Sequence, residues 1–311
     1  MEKINFQPLS FQFKDVIQSS VYDTECRNCD LNFMNLMSWR FLYDTQVAVH
    51  DGWLLFRFKA SGHNAYLAPV GRGDWHAILS ALLHDAEAQG EPFLMLGVCE
   101  NALTYLEAAM PGYFYATADR AYTDYIYARE ALASLAGKKL QPKRNHANRF
   151  SARYPNYVYE PLTPAVFDEC LQLEAQWSAQ KSENSTRLSY AEERRSMQFV
   201  LQHWDALGGL GGVLRVDGRM VAFTFGAPIN YDTFDVCVEK ADIDYDGAYA
   251  VINRDFVRHI PERYVYINRE EDLGIEGLRR AKLSYQPALL LHKYTVMTKH
   301  PFAGHYEEAR A

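Results

Sequence analysis

An apolar run at residues 264–267 is followed at once by five polar residues, Asn268, Arg269, Glu270, Glu271 and Asp272. The end of a strand is where α/β sheets present ligand-binding side chains, and five polar positions exceed what a turn needs. Asn268, Arg269 and Glu271 are therefore candidate substrate contacts. Arg279 and Lys282 stand three apart on the helical stretch that follows and share one face. Together they could hold a carboxylate or phosphate, with pairing to Glu276 and the acidic loop as the plainer alternative. Tyr249 and Asn253, four apart on an earlier helix, could line the same cleft.

A second group of residues is basic. Residues 138–153 hold Lys138, Lys139, Lys143, Arg144, Arg149 and Arg153 and no acidic residue. The chain carries 32 basic and 39 acidic residues for a net −7, so the remainder has 26 against 39, a net −13. Positive charge this concentrated on an acidic body reads as a local anion site, with Lys138, Lys139, Lys143, Arg144 and Arg149 as candidate nucleic-acid contacts. A solvated linker helix paired to the acidic body fits the same residues.

Other chemical signatures are weak. Asp242, Asp244, Asp246 and Gly247 imitate the start of an EF-hand loop, but its twelfth position is Asn253 rather than a bidentate Glu. Carboxylates capping the next helix explain that pattern as well. Cys26 and Cys29 form a C-x-x-C with neither the second pair that zinc requires nor a thioredoxin-like context. No G-x-S-x-G occurs, and the ten histidines show no ligand spacing, so no metal is expected.

The elements that must position these residues follow a repeated order. Strand-like runs at 46–50 and 53–59 flank Asp51-Gly52, a strong hairpin signal, and a third run lies at 65–69. A helix at 74–89, a strand at 93–97, a helix at 100–109 and a strand at 122–128 complete the first set. The second set runs 210–216 and 220–227 around Asp217-Gly218, then 233–239, a helix at 248–260, a strand at 264–268, a helix at 274–283 and a strand at 288–297. Corresponding elements are offset by about 165 to 174 residues, within the usual boundary error. The expected architecture is α/β (α+β): two domains of one kind with mixed, mostly antiparallel sheets. The divisions are 1–137, a basic connecting segment at 138–156, and 157–311.

Composition agrees with this size. At 311 residues with 48% hydrophobic and 23% charged side chains, the chain can bury two cores and is not disordered. The net negative charge argues against a surface built throughout for nucleic acid. No apolar run reaches signal-peptide or membrane-spanning length, and five scattered cysteines suit reduced thiols, so a cytoplasmic location is expected.

Three antiparallel strands, a helix, a strand, a helix and a further strand is the order of the GNAT acyltransferase fold. The stretches Glu239–Asp242, Asn268–Ile275 and Gly277–Tyr285, with Gly137–Leu140 and Lys143–His146, resemble a bacterial tandem-GNAT family. That family is similar to the catalytic C-terminal domain of phosphatidylglycerol lysyltransferases, and its own reaction is unassigned. The resemblance covers nearly the whole chain. It implies an acyltransferase-type protein, with Glu239, at the end of the third strand of the second half, as the best-placed catalytic carboxylate; an ion pair with Lys240 or Arg269 is the plainer reading of the same residue. The tandem fold is also that of peptidoglycan-bridge aminoacyltransferases, which implies an aminoacyl-tRNA as co-substrate and tRNA as partner. The acceptor, a small molecule or a lipid headgroup, stays open.

A CoA-dependent N-acyltransferase with a divergent donor loop is an alternative, and a non-catalytic module for a small ligand or RNA is another. CoA is not the favoured donor. Where a GNAT domain would cradle pyrophosphate, this chain has Asp242, Asp244 and Asp246 with a single glycine, Gly247. Asp242 there would instead attract a cationic group of a substrate. In the first half, Gly71-Arg72-Gly73 could hold a phosphate, but such residues mainly punctuate loops and read better as a turn.

Overall fold

The computed structural model describes residues 3–179 and 189–299. The first half opens with β1 (Gln7–Pro8), α1 (Lys14–Tyr22) and α2 (Phe33–Tyr43). β2 (Gln46–His50) and β3 (Trp53–Ala60) form the expected hairpin: Asp51 and Gly52 both have positive φ, as the tight two-residue turn demands. β4 (His63–Leu67), α3 (Trp75–Ala88), β5 (Leu94–Val98), α4 (Glu100–Ala109), β6 (Phe114–Ala118) and β7 (Asp124–Ala128) follow. The Asp74 carboxylate accepts from the His76 and Ala77 N–H groups and so caps α3 itself.

A connection of α5 (Arg129–Ser134) and α6 (Gln141–Arg153) leads to β8 (Val158–Pro161), α7 (Phe167–Ala179), α8 (Tyr190–Gln202) and α9 (Trp204–Leu207). The second half then repeats the first. β9 (Leu210–Val216) and β10 (Arg219–Pro228) join through Asp217-Gly218, again both at positive φ. Next come β11 (Thr233–Ala241), α10 (Ala248–His259), β12 (Tyr266–Asn268), α11 (Glu276–Leu283), β13 (Leu289–Leu291) and β14 (Tyr294–Thr298). The single strand expected at 288–297 is thus two. The helices α1, α2, α7 and α8 are additions to the repeated set.

Sheet membership does not follow the chain halves. One sheet has the order β1-β2-β3-β4-β5-β14-β6 and the other β13-β7-β12-β11-β10-β9-β8. The last strand of each half therefore lies inside the sheet of the other. All neighbours are antiparallel except β4 with β5 and β11 with β12.

One core, with α3 and α4, packs on the first sheet, and another, with α10, on the second. A third joins the halves: Met34, Met37 and Phe56 pack in one cluster with Leu173, Trp204, Phe223 and Phe225. Each such side chain contributes roughly 1.5–3 kcal/mol on burial, so this joint is a structural core and not a loose contact. Among the described residues no helix is long and apolar enough to cross a membrane.

One irregularity positions the site. Phe225 pairs with Val238 but Gly226 pairs with Val236, which leaves Cys237 as an extra residue in β11. A Cβ at Gly226 would fall 1.8 Å from the Asp235 carbonyl oxygen, so only glycine permits this approach. The bulge breaks the alternation of β11. Asp235 faces Asn32, which caps the start of α2, whereas Glu239, four residues on, faces Asn253 of α10.

Candidate active site

β11 and β12 pair only from Thr233 opposite Tyr266 to Asp235 opposite Asn268, after which β11 runs on to Ala241. β12 ends there, and side chains bridge the opening beside the rest of β11. Arg269 Nη2 donates to Glu239 Oε1 at 2.8 Å, and Asn253 Nδ2 donates to Glu239 Oε2 at 2.9 Å. The Arg269 guanidinium lies over the rings of Tyr285 and Tyr127, 4.7 and 5.6 Å from their centroids. Asn253 Oδ1 and Arg269 Nη1 are buried and have no hydrogen-bond partner among the described residues. One spare acceptor and one spare donor thus flank a carboxylate, an arrangement that suits a substrate carrying both a donor and an acceptor.

Lys143 reaches this opening from α6, its Nζ 4.4 Å from the Tyr285 ring centroid. Burial, with Arg269 nearby, lowers its ammonium below the ordinary lysine range, and burial pushes Tyr285 up to about 12. Tyr249, from the first turn of α10, accepts from Trp177 Nε1 at 2.9 Å beside the same opening.

The opposite face of β11 carries a different cluster at the joint of the halves. Lys293 Nζ lies 2.9 Å from Asp124 Oδ1, 3.3 Å from Asp30 Oδ2 and 3.6 Å from Cys29 Sγ, and it also pairs with Glu271. Burial alone would depress this ammonium, but Asp124, Asp30, Cys29 and Glu271 hold it well above the ordinary lysine range. Asn268 is buried here, donating to Asp124 Oδ2 at 2.8 Å and to the Arg27 carbonyl at 2.7 Å.

The sequence profile described as phosphatidylglycerol lysyltransferase, C-terminal, matches residues 23–297. The chain belongs to that family. A solved protein of unknown function from Bacteroides thetaiotaomicron is 52% identical, with a TM-score of 0.91 over 95% of this chain and all of that one. The L-PGS structure from Bacillus licheniformis is 17% identical, with a TM-score of 0.68 over 97% and 96% of the two chains. An uncharacterised protein of Mycoplasmoides gallisepticum is 23% identical over 175 residues, and the match spans 56% of this chain and 56% of that one. The halves have the GNAT-like acyltransferase fold in tandem.

Within this lysyltransferase-C-terminal fold the residues singled out from the sequence divide among several places. Glu239, Arg269, Asn253 and Tyr249 come together at the opening, while Asn268 and Glu271 belong to the Lys293 cluster on the other face. Asp242 is spent elsewhere: it pairs with Arg219 at 2.8 Å, and its Oδ1 accepts from the Asp244 N–H. Arg279 and Lys282 do not form one anion clamp. Arg279 donates from Nε and Nη2 to the Asp272 carboxylate, and the buried Lys282 ammonium donates to the Arg269 and Glu271 carbonyls. Helical spacing put them on one face, but the loop 269–274 folds back between them and takes both.

The basic segment is also divided. Arg144 Nη1 donates to the Leu135 and Gly137 carbonyls and so ties α6 to the end of α5. Arg149, with His146, lies near Asp246 at 3.6 and 3.4 Å, and Lys138 and Lys139 are exposed. Cys26 and Cys29 part company: Cys26 Sγ lies 3.3 Å from Cys99 Sγ, while Cys29 faces Lys293. Sequence reading passed over Tyr127, Tyr285, Asp124 and Lys293. The available signal was Lys293 itself, a charged residue inside the largely apolar stretch 288–297.

Proposed function

We propose that this chain transfers an aminoacyl group from an aminoacyl-tRNA to an amine or hydroxyl acceptor, with Glu239 as the catalytic carboxylate. The observation that carries this reading is Glu239 held between Asn253 and Arg269, each with one unspent buried hydrogen-bonding group. The acceptor nitrogen or oxygen attacks the ester carbonyl while Glu239 takes its proton. The spare Arg269 N–H stabilises the oxyanion as it develops. Collapse breaks the ester C–O bond, and the ribose oxygen leaves as a hydroxyl with the proton that Glu239 took from the acceptor. Asn253 Oδ1 orients an N–H of the acceptor or of the donor's α-amine. The name L-PGS, borne by a structure of the same fold, is in keeping with aminoacyl transfer.

The basic helix supports tRNA as the carrier, because Lys143 stands at the rim of the opening while Lys138, Lys139 and Arg149 are exposed. The outer face of α6 also forms an open depression of about 460 Å³ lined by Pro142, Asn145, His146, Asn148 and Arg149. CoA is less well served. Its diphosphate would need the N-terminus of α10, but a Cβ at Gly247 would lie 2.5 Å from the His146 carbonyl oxygen, so α6 covers that corner.

The test is loss of labelled aminoacyl-tRNA and its transfer to small amine and hydroxyl acceptors, at low salt. Wild-type protein should accelerate transfer, and Glu239→Gln should lower turnover by about 10²–10⁴ while RNA binding persists. Lys138→Glu with Lys139→Glu should leave the fold intact and flatten the salt dependence of binding. RNA binding without turnover would leave the module reading. Micromolar binding of acetyl-CoA would replace this proposal with the CoA-dependent one.

A further inference from the structure

A thiol and two carboxylates converge twice where the halves meet. In the group Cys29, Asp124 and Glu271, the Lys293 ammonium sits among all three. In the group Asp235, Cys237 and Glu270, one oxygen or sulfur from each residue lies within 4.8 Å of the others. No cation is paired with any of these three among the described residues, and their partners are amides. Asn32 Nδ2 donates to Asp235 Oδ2 at 2.9 Å, and Asn35 Nδ2 donates to Asp235 Oδ2 at 3.2 Å and to Glu270 Oε1 at 2.8 Å.

Asp235 is fully buried, and its Oδ1 has no hydrogen-bond partner among the described residues. A buried carboxylate oxygen with no donor is costly unless a proton or a cation completes it. The β11 bulge at Cys237 puts its Sγ 3.7 Å from Asp235 Oδ2. Glu270 holds a left-handed backbone, φ 54°, with its N–H bound to Asn268 Oδ1 at 2.6 Å, which turns its side chain toward α2.

We propose that Asp235, Cys237 and Glu270 are the protein ligands of a zinc-class divalent cation, bound at the joint of the two halves and oriented by Asn32 and Asn35. A thiolate with two carboxylates favours a zinc-class ion over magnesium or calcium, which prefer oxygen alone. Three protein ligands leave a fourth tetrahedral position for water or a substrate atom. The asparagines supply the outer contacts that fix carboxylate ligands. Lys282 also acts on Glu270, but Asp235 and Glu271 act on it in the opposite sense, so one divalent charge suits a cluster rich in carboxylates. Binding displaces the Cys237 thiol proton and the carboxyl protons to solvent, so affinity should rise with pH.

The full chain, stripped with a chelator, is titrated with Co²⁺ at neutral pH. The expected result is one equivalent bound, with a thiolate-to-cobalt charge-transfer band that Zn²⁺ abolishes. Cys237→Ser should lose that band, and Cys29→Ser should keep it. Asp235→Asn, which retains the thiol, covers the case in which Cys237→Ser fails to fold: the rise in Tm on adding Zn²⁺ should vanish. Failure of the wild-type protein to bind Co²⁺ or Zn²⁺ overturns the proposal and leaves a protonated carboxyl group. A band lost in Cys29→Ser but kept in Cys237→Ser overturns it in favour of the Lys293 group.

Discussion

The two thiol–carboxylate groups at the joint share one residue, Asn268, whose Nδ2 donates to Asp124 and whose Oδ1 accepts from the Glu270 N–H. Their composition is alike, yet one is completed by an ion-paired ammonium, Lys293, while the other is hydrogen-bonded by asparagines and feels Lys282 only beyond ion-pair distance. The difference shows how a buried carboxylate is kept. A fixed cation opposes the rise that burial imposes: Glu271 lies below its ordinary value, whereas Asp124, buried beside Glu271 and Asp30, still lies above it. Amides cannot supply the missing charge, so the second group stays protonated or takes a cation from outside. Glu239 belongs to the first kind, because Arg269 completes it, but Arg269 still has a donor to offer.

Removing the internal cation should give the largest effect. Lys293→Met leaves Asp124 and Glu271 buried without a partner charge and should cost about 3–5 kcal/mol in urea unfolding. Adding Asp124→Asn should restore part of that loss. A cost below about 1 kcal/mol would mean that these carboxylates already share protons and the two groups are alike after all.

A middle-sized effect tests the cation-completed kind elsewhere. Burial would raise Asp272, but Arg279, the Tyr125 hydroxyl and the Gly274 N–H hold it at about 2. Its folded value is depressed, so its stabilisation is present above the ordinary Asp range near 3.8 and is lost as pH falls toward 2. The contribution at neutral pH is about 2 kcal/mol, and Asp272→Asn should remove this part of the acid limb of the stability curve.

The smallest effect belongs to the amide-completed group. In chelator-treated protein Asp235→Asn should change stability by less than about 1 kcal/mol, since burial, with Asp124 and Glu271 nearby, already pushes this carboxyl well above its ordinary value. A penalty as large as that of Lys293→Met would show that Asp235 is ionised in the metal-free protein.

Much of the fold was readable locally. Asp51-Gly52 and Asp217-Gly218 announced hairpins because a two-residue turn needs positive φ twice, and Asp74 announced the start of α3. Glu239, Arg269, Asn253 and Tyr249 could be chosen because each ends or lines an element whose type was legible. The bulge at Cys237 was not, since strict alternation would have put Asp235 and Glu239 on one face. Nor was the convergence of Asp124, Lys293 and Cys29, which lie far apart in the chain and meet only through sheet order. Arg144 looked like a free charge because spacing does not reveal that the Leu135 and Gly137 carbonyls lie within its reach.

The crossing of the last strands has a consequence for cutting and splitting the polypeptide. β14 lies between β5 and β6, and β7 lies between β13 and β12, so each half holds an interior strand of the other's sheet. A protease nick near Gly137 severs the backbone but frees neither piece, and the nicked molecule should elute at its full size until denatured. Fragments 1–137 and 138–311 made separately would each expose two unpaired strand edges and aggregate. Made together, they should recover the intact sheets, so the two copies of the fold can be inherited, permuted or engineered only as a pair.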